Sequence, residues 1–233
     1  MGKRIVDLSH TLTATIPQGS VAPTMECKRS LGIELASTQL DDSRYRVDLT
    51  EISMSVHTGT HIDAPCHFVI GAPAISDIPA DRFIGRAHLL RAPAEAGQAI
   101  EASRLAGLTA DIEPGDIVLV ETGWWRTFSS DAPSYCREHP WLGASAGDWL
   151  VARGIKLFGI DTINPDTSPA HRPPAFGWPV HCGLLGAGIP VMENVNYAGL
   201  ADDSSPVITF WLHAAPLPIE GSDGAPVRAV AYV

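Results

Sequence analysis

Residues 56–68 read Val-His-Thr-Gly-Thr-His-Ile-Asp-Ala-Pro-Cys-His-Phe, and the rest of the chain is best read outward from them. Four side chains able to bind a metal or move a proton, His57, His61, Asp63 and His67, fall within eleven consecutive positions. A solvated surface loop has no use for three imidazoles and a carboxylate at this density. All four sit at odd positions, and an extended backbone projects such residues to one face. A helix, turning about 100° per residue, pairs His57 with His61 but carries Asp63 and His67 toward the other side. Extension alone also fails, because four residues of strand span roughly 13 Å whereas imidazole and carboxylate ligands reach a metal at about 2 Å. The chain therefore has to curl between the ligands, and Gly59 and Ala64-Pro65 stand where curling is easiest. The stretch reads as a metal-binding loop entered from a strand.

Residues 45–56 supply that strand. Apolar and polar side chains alternate along most of Tyr-Arg-Val-Asp-Leu-Thr-Glu-Ile-Ser-Met-Ser-Val, the pattern of a half-buried strand. Upstream, residues 4–10 read as a first strand, 13–24 as a loop rich in turn formers, and 26–38 as strand or irregular chain. Downstream, 85–91 and 116–121 are short apolar runs of the buried-strand type, with a short helix between them at 101–107. Residues 145–153 read as a helix with Ser145 as N-cap and Gly154 as its stop. Lys156 to Asp161 reads as a strand running into a loop, and a strand pair follows at 189–193 and 207–213. With no repeat and no linker-like stretch, this alternation predicts one α/β domain over residues 1–233. Its 21 glycines and 19 prolines predict many irregular connections.

Composition bounds the partners. A net charge of −10 without any basic run argues against nucleic acid and anionic membrane. No apolar run is long enough to span a bilayer, and the first ten residues turn polar too early for a signal peptide. A cytoplasmic enzyme acting on a small molecule is the expectation. Cys27, Cys66, Cys136 and Cys182 form no Cys-x-x-Cys pair and read as free thiols. Cys66 and Cys182 adjoin candidate histidines, but a small buried filler is the plainer reading of each.

A second contribution to the site is expected from Trp178-Pro-Val-His181-Cys and from Glu193, which ends an otherwise apolar strand beside Asn194. Residue type alone leaves both His181 and Glu193 open between ligand and structural roles. The pattern His57-x-Gly59-Thr60-His61-x-Asp63-x-Pro65-x-His67 resembles the signature of the cyclase family of metal-dependent hydrolases, which includes bacterial kynurenine formamidase and isatin hydrolase. Asp7-Leu-Ser, Gly159-Ile-Asp161, the His181/Glu193 pair and the segment from Ala215 to Val230 resemble further parts of the same family, so the likeness runs over most of the chain.

That resemblance implies a swivelling β/β/α fold with a mixed, barrel-like central sheet, assembled as a homodimer or homotetramer. It implies that His57, His61 and Asp63 hold one divalent metal. Asp63 would bridge to a second ion held by His181 and Glu193. It makes His67, with Glu193, the catalytic group, His67 serving as acid/base toward the substrate. Zinc is typical of the formamidases and manganese of isatin hydrolase. The implied reaction is metal-assisted hydrolysis of an amide in a small aryl formamide or cyclic amide. A lactone or other cyclic ester would use the same site, and a non-catalytic metal-binding module is the remaining alternative. Two loops that shape the family's substrate pocket differ here, at Ile16 to Pro23 and at Thr162 to Asp166. The substrate therefore does not carry over with the metal chemistry.

Overall fold

The computed structural model describes residues 4–13, 16–17, 32–39, 44–108, 111–201 and 204–233. Its strands are β1 (Ile5–Asp7), β2 (Gly32–Gln39), β3 (Arg46–Ser53), β4 (His61–Asp63), β5 (Ile84–Arg91), β6 (Ala99–Ile100), β7 (Ile117–Glu121), β8 (Trp141–Leu142), β9 (Leu157–Ile160), β10 (Val191–Glu193), β11 (Val207–His213), β12 (Gly224–Pro226) and β13 (Val230–Tyr232). Among the described residues four α-helices accompany them: α1 (Ala102–Ala106), α2 (Ala132–Arg137), α3 (Ala144–Ala152) and α4 (Pro179–Gly186).

The main sheet has nine strands in the order β1-β13-β11-β5-β7-β9-β10-β4-β12 and curls into a half-barrel. Its centre, β5-β7-β9-β10, is parallel, and both flanks are antiparallel. This is the mixed α/β architecture expected. Strand β7, Ile-Val-Leu-Val-Glu, is buried along its whole length, as a parallel strand covered on both faces must be. Ile117 and Leu119 point into one apolar cluster, inside the curl, with Leu89, Ile62, Met192 and Leu212. Val118 and Val120 point to the other face. There they meet Phe158, Ile160 and Val191 together with Ala146 and Leu150 of α3 and Val180, Leu184 and Leu185 of α4. The period of two along β7 thus partitions the core into a layer within the curl and a layer under the helices.

Four expectations are corrected. Strand β3 is exposed throughout and, among the described residues, pairs only with β2, in a separate two-stranded sheet. Its alternation marks two sides of a hairpin; a half-buried strand feeding the histidine loop is not what it forms. The segments at 189–193 and 207–213 are not neighbours, since β10 lies between β9 and β4, and β11 between β13 and β5. Ser145 does not cap α3, whose N-cap is Gly143. Its hydroxyl instead accepts from the Ala102 N–H and donates to Glu101, tying α3 to the start of α1. Cys182 is exposed and Cys66 only half-buried, so neither is a buried filler, and Cys27 lies outside the described residues.

Candidate metal centre

The site is assembled on β4, which runs between β10 and β12. Register places Glu193 opposite His61 and Val191 opposite Asp63 on one side, and Gly224 opposite Asp63 on the other. Directly opposed residues of an antiparallel pair share a face. His61, Asp63 and Glu193 therefore project together, while Ile62 and Met192 go into the core beneath. The loop before β4 curls at Gly59, whose φ of 67° lies in the left-handed region. A Cβ there would also sit 2.6 Å from Leu12 Cδ2. Past the strand, Pro65 opens a short 3-10 turn that brings His67 back over the site. His181 arrives from the first turn of α4.

These parts converge. His57 Nδ1 is 2.7 Å from Asp63 Oδ1. His61 Nε2 is 3.3 Å from Asp63 Oδ1 and 3.3 Å from Glu193 Oε2. His181 Nε2 is 3.1 Å from Glu193 Oε1 and 3.5 Å from Asp63 Oδ2. Two overlapping triads, His57/Asp63/His67 and His61/Asp63/Glu193, each bring their ligand atoms within 4.8 Å of one another. The six residues nominated from the sequence thus lie in one cluster. Asp63 is common to both triads, and His67 stands close enough to reach an ion as well as a substrate.

Each of the three imidazoles is held from behind by an acceptor. His57 Nε2 meets Asp223 at 2.9 Å, His61 Nδ1 meets the Gly59 carbonyl at 2.8 Å, and His181 Nδ1 meets Asp166 at 2.6 Å. This arrangement aims one nitrogen of each ring at the carboxylates, as outer partners of metal-bound histidines do. His61 Nε2 is buried and makes a well-aimed hydrogen bond to nothing, although two carboxylates flank it. A bound cation would account for an orphaned buried nitrogen between acidic oxygens, and a His/Asp/Glu donor set is one that zinc or manganese would accept.

The charges agree. Burial lowers the pKa of His57, but Asp63 and Asp223 outweigh it and raise the group to about 9. Burial likewise opposes His61, which Asp63 and Glu193 raise to about 10. His181, similarly buried, is driven well above its ordinary value by Asp166, Asp63 and Glu193. Burial would raise Asp63, yet the charge of His57 and the close imidazoles of His181, His57 and His61 hold it well below the usual carboxylate range. The negative potential that retains protons on these imidazoles would equally retain a divalent ion.

The remaining histidines lie apart. His88 is buried against Asp116 and Thr209, His139 against Pro140 and Asn164, His171 meets Ser168 and Trp141, and His213 is exposed on β11. His10 stacks on Phe128 at 3.6 Å, and its backbone N–H donates to Thr60 Oγ1, which makes it a neighbour of the loop. Sequence reasoning missed three supports. Asp223 hides in a Ser-Asp-Gly stretch that reads as a turn. Asp166 accepts from the backbone N–H groups of Val180 and His181 as well as from the His181 ring, so it seats the start of α4. Asn194, at φ 54°, donates to the Gly59 carbonyl and is itself met by the Tyr135 hydroxyl at 2.7 Å. Tyr135 is fully buried, so the face of α2 that carries it belongs to the floor of the site. Above the cluster, Phe68 stacks on His181 at 4.5 Å and meets Trp178 at 5.7 Å; Trp178 in turn meets Phe176 at 5.2 Å and lies beneath the Arg172 guanidinium at 4.0 Å.

A sheet of this order carrying this ligand cluster defines a class, and comparison with known proteins places the chain in it. It belongs to the cyclase family, whose model, described as "putative cyclase", matches residues 6–167. Among its relatives is the kynurenine formamidase of Bordetella avium, 33% identical over 193 residues, covering 79% of this chain and 80% of that one. The kynurenine formamidase of Geobacillus thermodenitrificans is 30% identical over 183 residues, covering 78% and 79%. Among solved structures, isatin hydrolase A from Ralstonia solanacearum superposes with a TM-score of 0.85 at 26% identity, covering 99% of this chain and 92% of that one.

Proposed function

We propose that this chain is a metal-dependent hydrolase that opens the amide C–N bond of a small aryl formamide or cyclic amide. The observation that carries the reading is the single cluster of His57, His61, Asp63, His181 and Glu193, with His61 Nε2 aimed between two carboxylates and bonded to neither. Its relatives named kynurenine formamidase and isatin hydrolase support the choice of bond.

Those five residues would hold one or two divalent ions, zinc by preference or manganese. When bound, such an ion supplies Lewis acidity toward a carbonyl oxygen and toward water. The chain supplies the rest. His67 has Nδ1 committed to Asp223 at 2.9 Å, so Nε2 is the atom that takes a proton from the attacking water and returns it to the departing nitrogen. Glu193, buried at the end of β10, holds negative charge beside His61 and His181 and keeps both rings oriented. The half-buried aromatic rim of Phe68, Phe176 and Trp178 offers a flat apolar wall for an aryl ring. We further propose that the enzyme assembles as a homodimer or homotetramer and works in the cytoplasm.

The test is hydrolysis of N-formylkynurenine and isatin by protein stripped with chelator and then reloaded with zinc or manganese. Metal-restored turnover of either substrate is expected, and full activity in the stripped protein would overturn the reading. Replacing His61 with Ala is expected to abolish metal content and turnover together.

A further inference from the structure

Asp223 lies outside the ligand pattern, yet one of its oxygens meets two functional imidazoles. Oδ2 is 2.9 Å from His57 Nε2 and 2.9 Å from His67 Nδ1. An ionised carboxylate can only accept, so both nitrogens present N–H groups to it. The consequence differs for the two rings. His57 is left with Nδ1 facing Asp63, on the metal side. His67 is left with Nε2 as its only nitrogen able to exchange a proton with a substrate.

The placement of this carboxylate is built into the sheet. Asp223 immediately precedes β12, and its carbonyl accepts the Ala64 N–H at 2.8 Å, locking it to the end of β4. The next residue, Gly224, pairs with Asp63. A Cβ on Gly224 would lie 2.8 Å from the Ile62 carbonyl and 3.0 Å from His57 Cε1, so only glycine lets β12 come close enough to set Asp223 under both rings. A solubilising surface acid needs none of this.

We infer that Asp223 is a positioning residue, fixing through one oxygen the tautomer and orientation of both a metal ligand, His57, and the proton-transfer group, His67. The part that concerns proton transfer rests on the function proposed above; the part that concerns tautomer and metal affinity does not.

The experiment compares zinc-loaded wild type with Asp223→Ala and Asp223→Asn. Histidine-labelled protein gives the tautomers by long-range proton–nitrogen NMR, and chelator competition gives zinc affinity. Wild type is expected to show His67 protonated at Nδ1. D223A is expected to lose that tautomer and about 10- to 100-fold in zinc affinity. D223N, whose amide oxygen can still accept, should fall between. At saturating zinc, kcat should drop in both variants with KM little changed. An unchanged His67 tautomer and unchanged zinc affinity in the variants would overturn the inference, and D223N decides it if D223A does not fold. Should wild type hydrolyse no amide while the NMR and affinity shifts appear, the hydrolase reading fails and the role of Asp223 stands.

Discussion

The imidazoles of the centre compete for the same carboxylates that would hold an ion. In metal-stripped protein, His57 and His61 titrate near 9 and 10, well above an ordinary histidine, because Asp63, Glu193 and Asp223 surround them. Two predictions belong to this scale. Metal binding needs these nitrogens deprotonated, so zinc affinity should rise steadily from pH 6.5 to about 10 with protons released on binding, measurable by calorimetry in buffers of different ionisation enthalpy. Folded-state values raised above the unfolded value of about 6.5 add stability that is complete below that pH and lost as pH climbs through 9 and 10. The melting temperature of stripped protein should therefore fall across pH 7 to 10 more steeply than that of zinc-loaded protein. Parallel curves for the two forms would contradict the arrangement of charges described.

Elements turn these residues into a site, and here close packing sets the tolerance. Gly159 on β9 lies between its neighbours β7 and β10, where a Cβ would meet Leu119 Cδ2 at 2.5 Å and Met192 Cε at 3.1 Å. Both neighbours are fully buried and Met192 precedes Glu193, so Gly159→Ala should push β10 outward. Overpacking of this kind costs about 1–3 kcal/mol, a drop in Tm of several degrees by calorimetry at roughly 2–4 °C per kcal/mol. Metal affinity should weaken with it; a variant as stable as wild type would show that the strands part freely. The same packing explains which elements were legible. The runs at 85–91, 116–121 and 156–161 could be read because they are buried strands bracketed by turns. His57, His61, Asp63 and His67 could be read because one short loop carries them all. His181 and Glu193 join that loop through strand register and a helix start over a hundred residues away, so the sequence could nominate them but residue type left their role open, and the family resemblance is what assigned it. Asp223 and Asp166 carried no signal, since Asp in a turn and Asp before a helix both have ordinary local explanations.

At the scale of the whole molecule, the hairpin of β2 and β3 is the part that a lone chain explains least. Alternation in 45–56 placed Val47 and Leu49 on one side, but the pattern breaks at Thr50-Glu51, register turns Ile52 and Leu35 to the other side, and nothing in it says what either side packs against. Leu35, Val47, Leu49 and Ile52 are 55–62% exposed, and every described side chain of the hairpin is exposed with them. A two-stranded hairpin standing alone is marginal in water, and exposed aliphatics on both its faces, Val47 and Leu49 on one and Leu35 and Ile52 on the other, mark it as a part that packs against something. If the proposed homodimer or homotetramer forms, this arm is where its contacts should be sensitive. Val47 and Leu49 lie on one side of β3, two residues apart, so Val47→Asp with Leu49→Asp puts two charges on that side without touching the nine-stranded sheet. Light scattering coupled to size exclusion should give wild type at twice or four times the 24.8 kDa chain mass and the double variant at a lower order, with far-UV dichroism unchanged. A wild type that runs as a monomer at micromolar concentration would end the oligomer proposal and leave the hairpin a free arm.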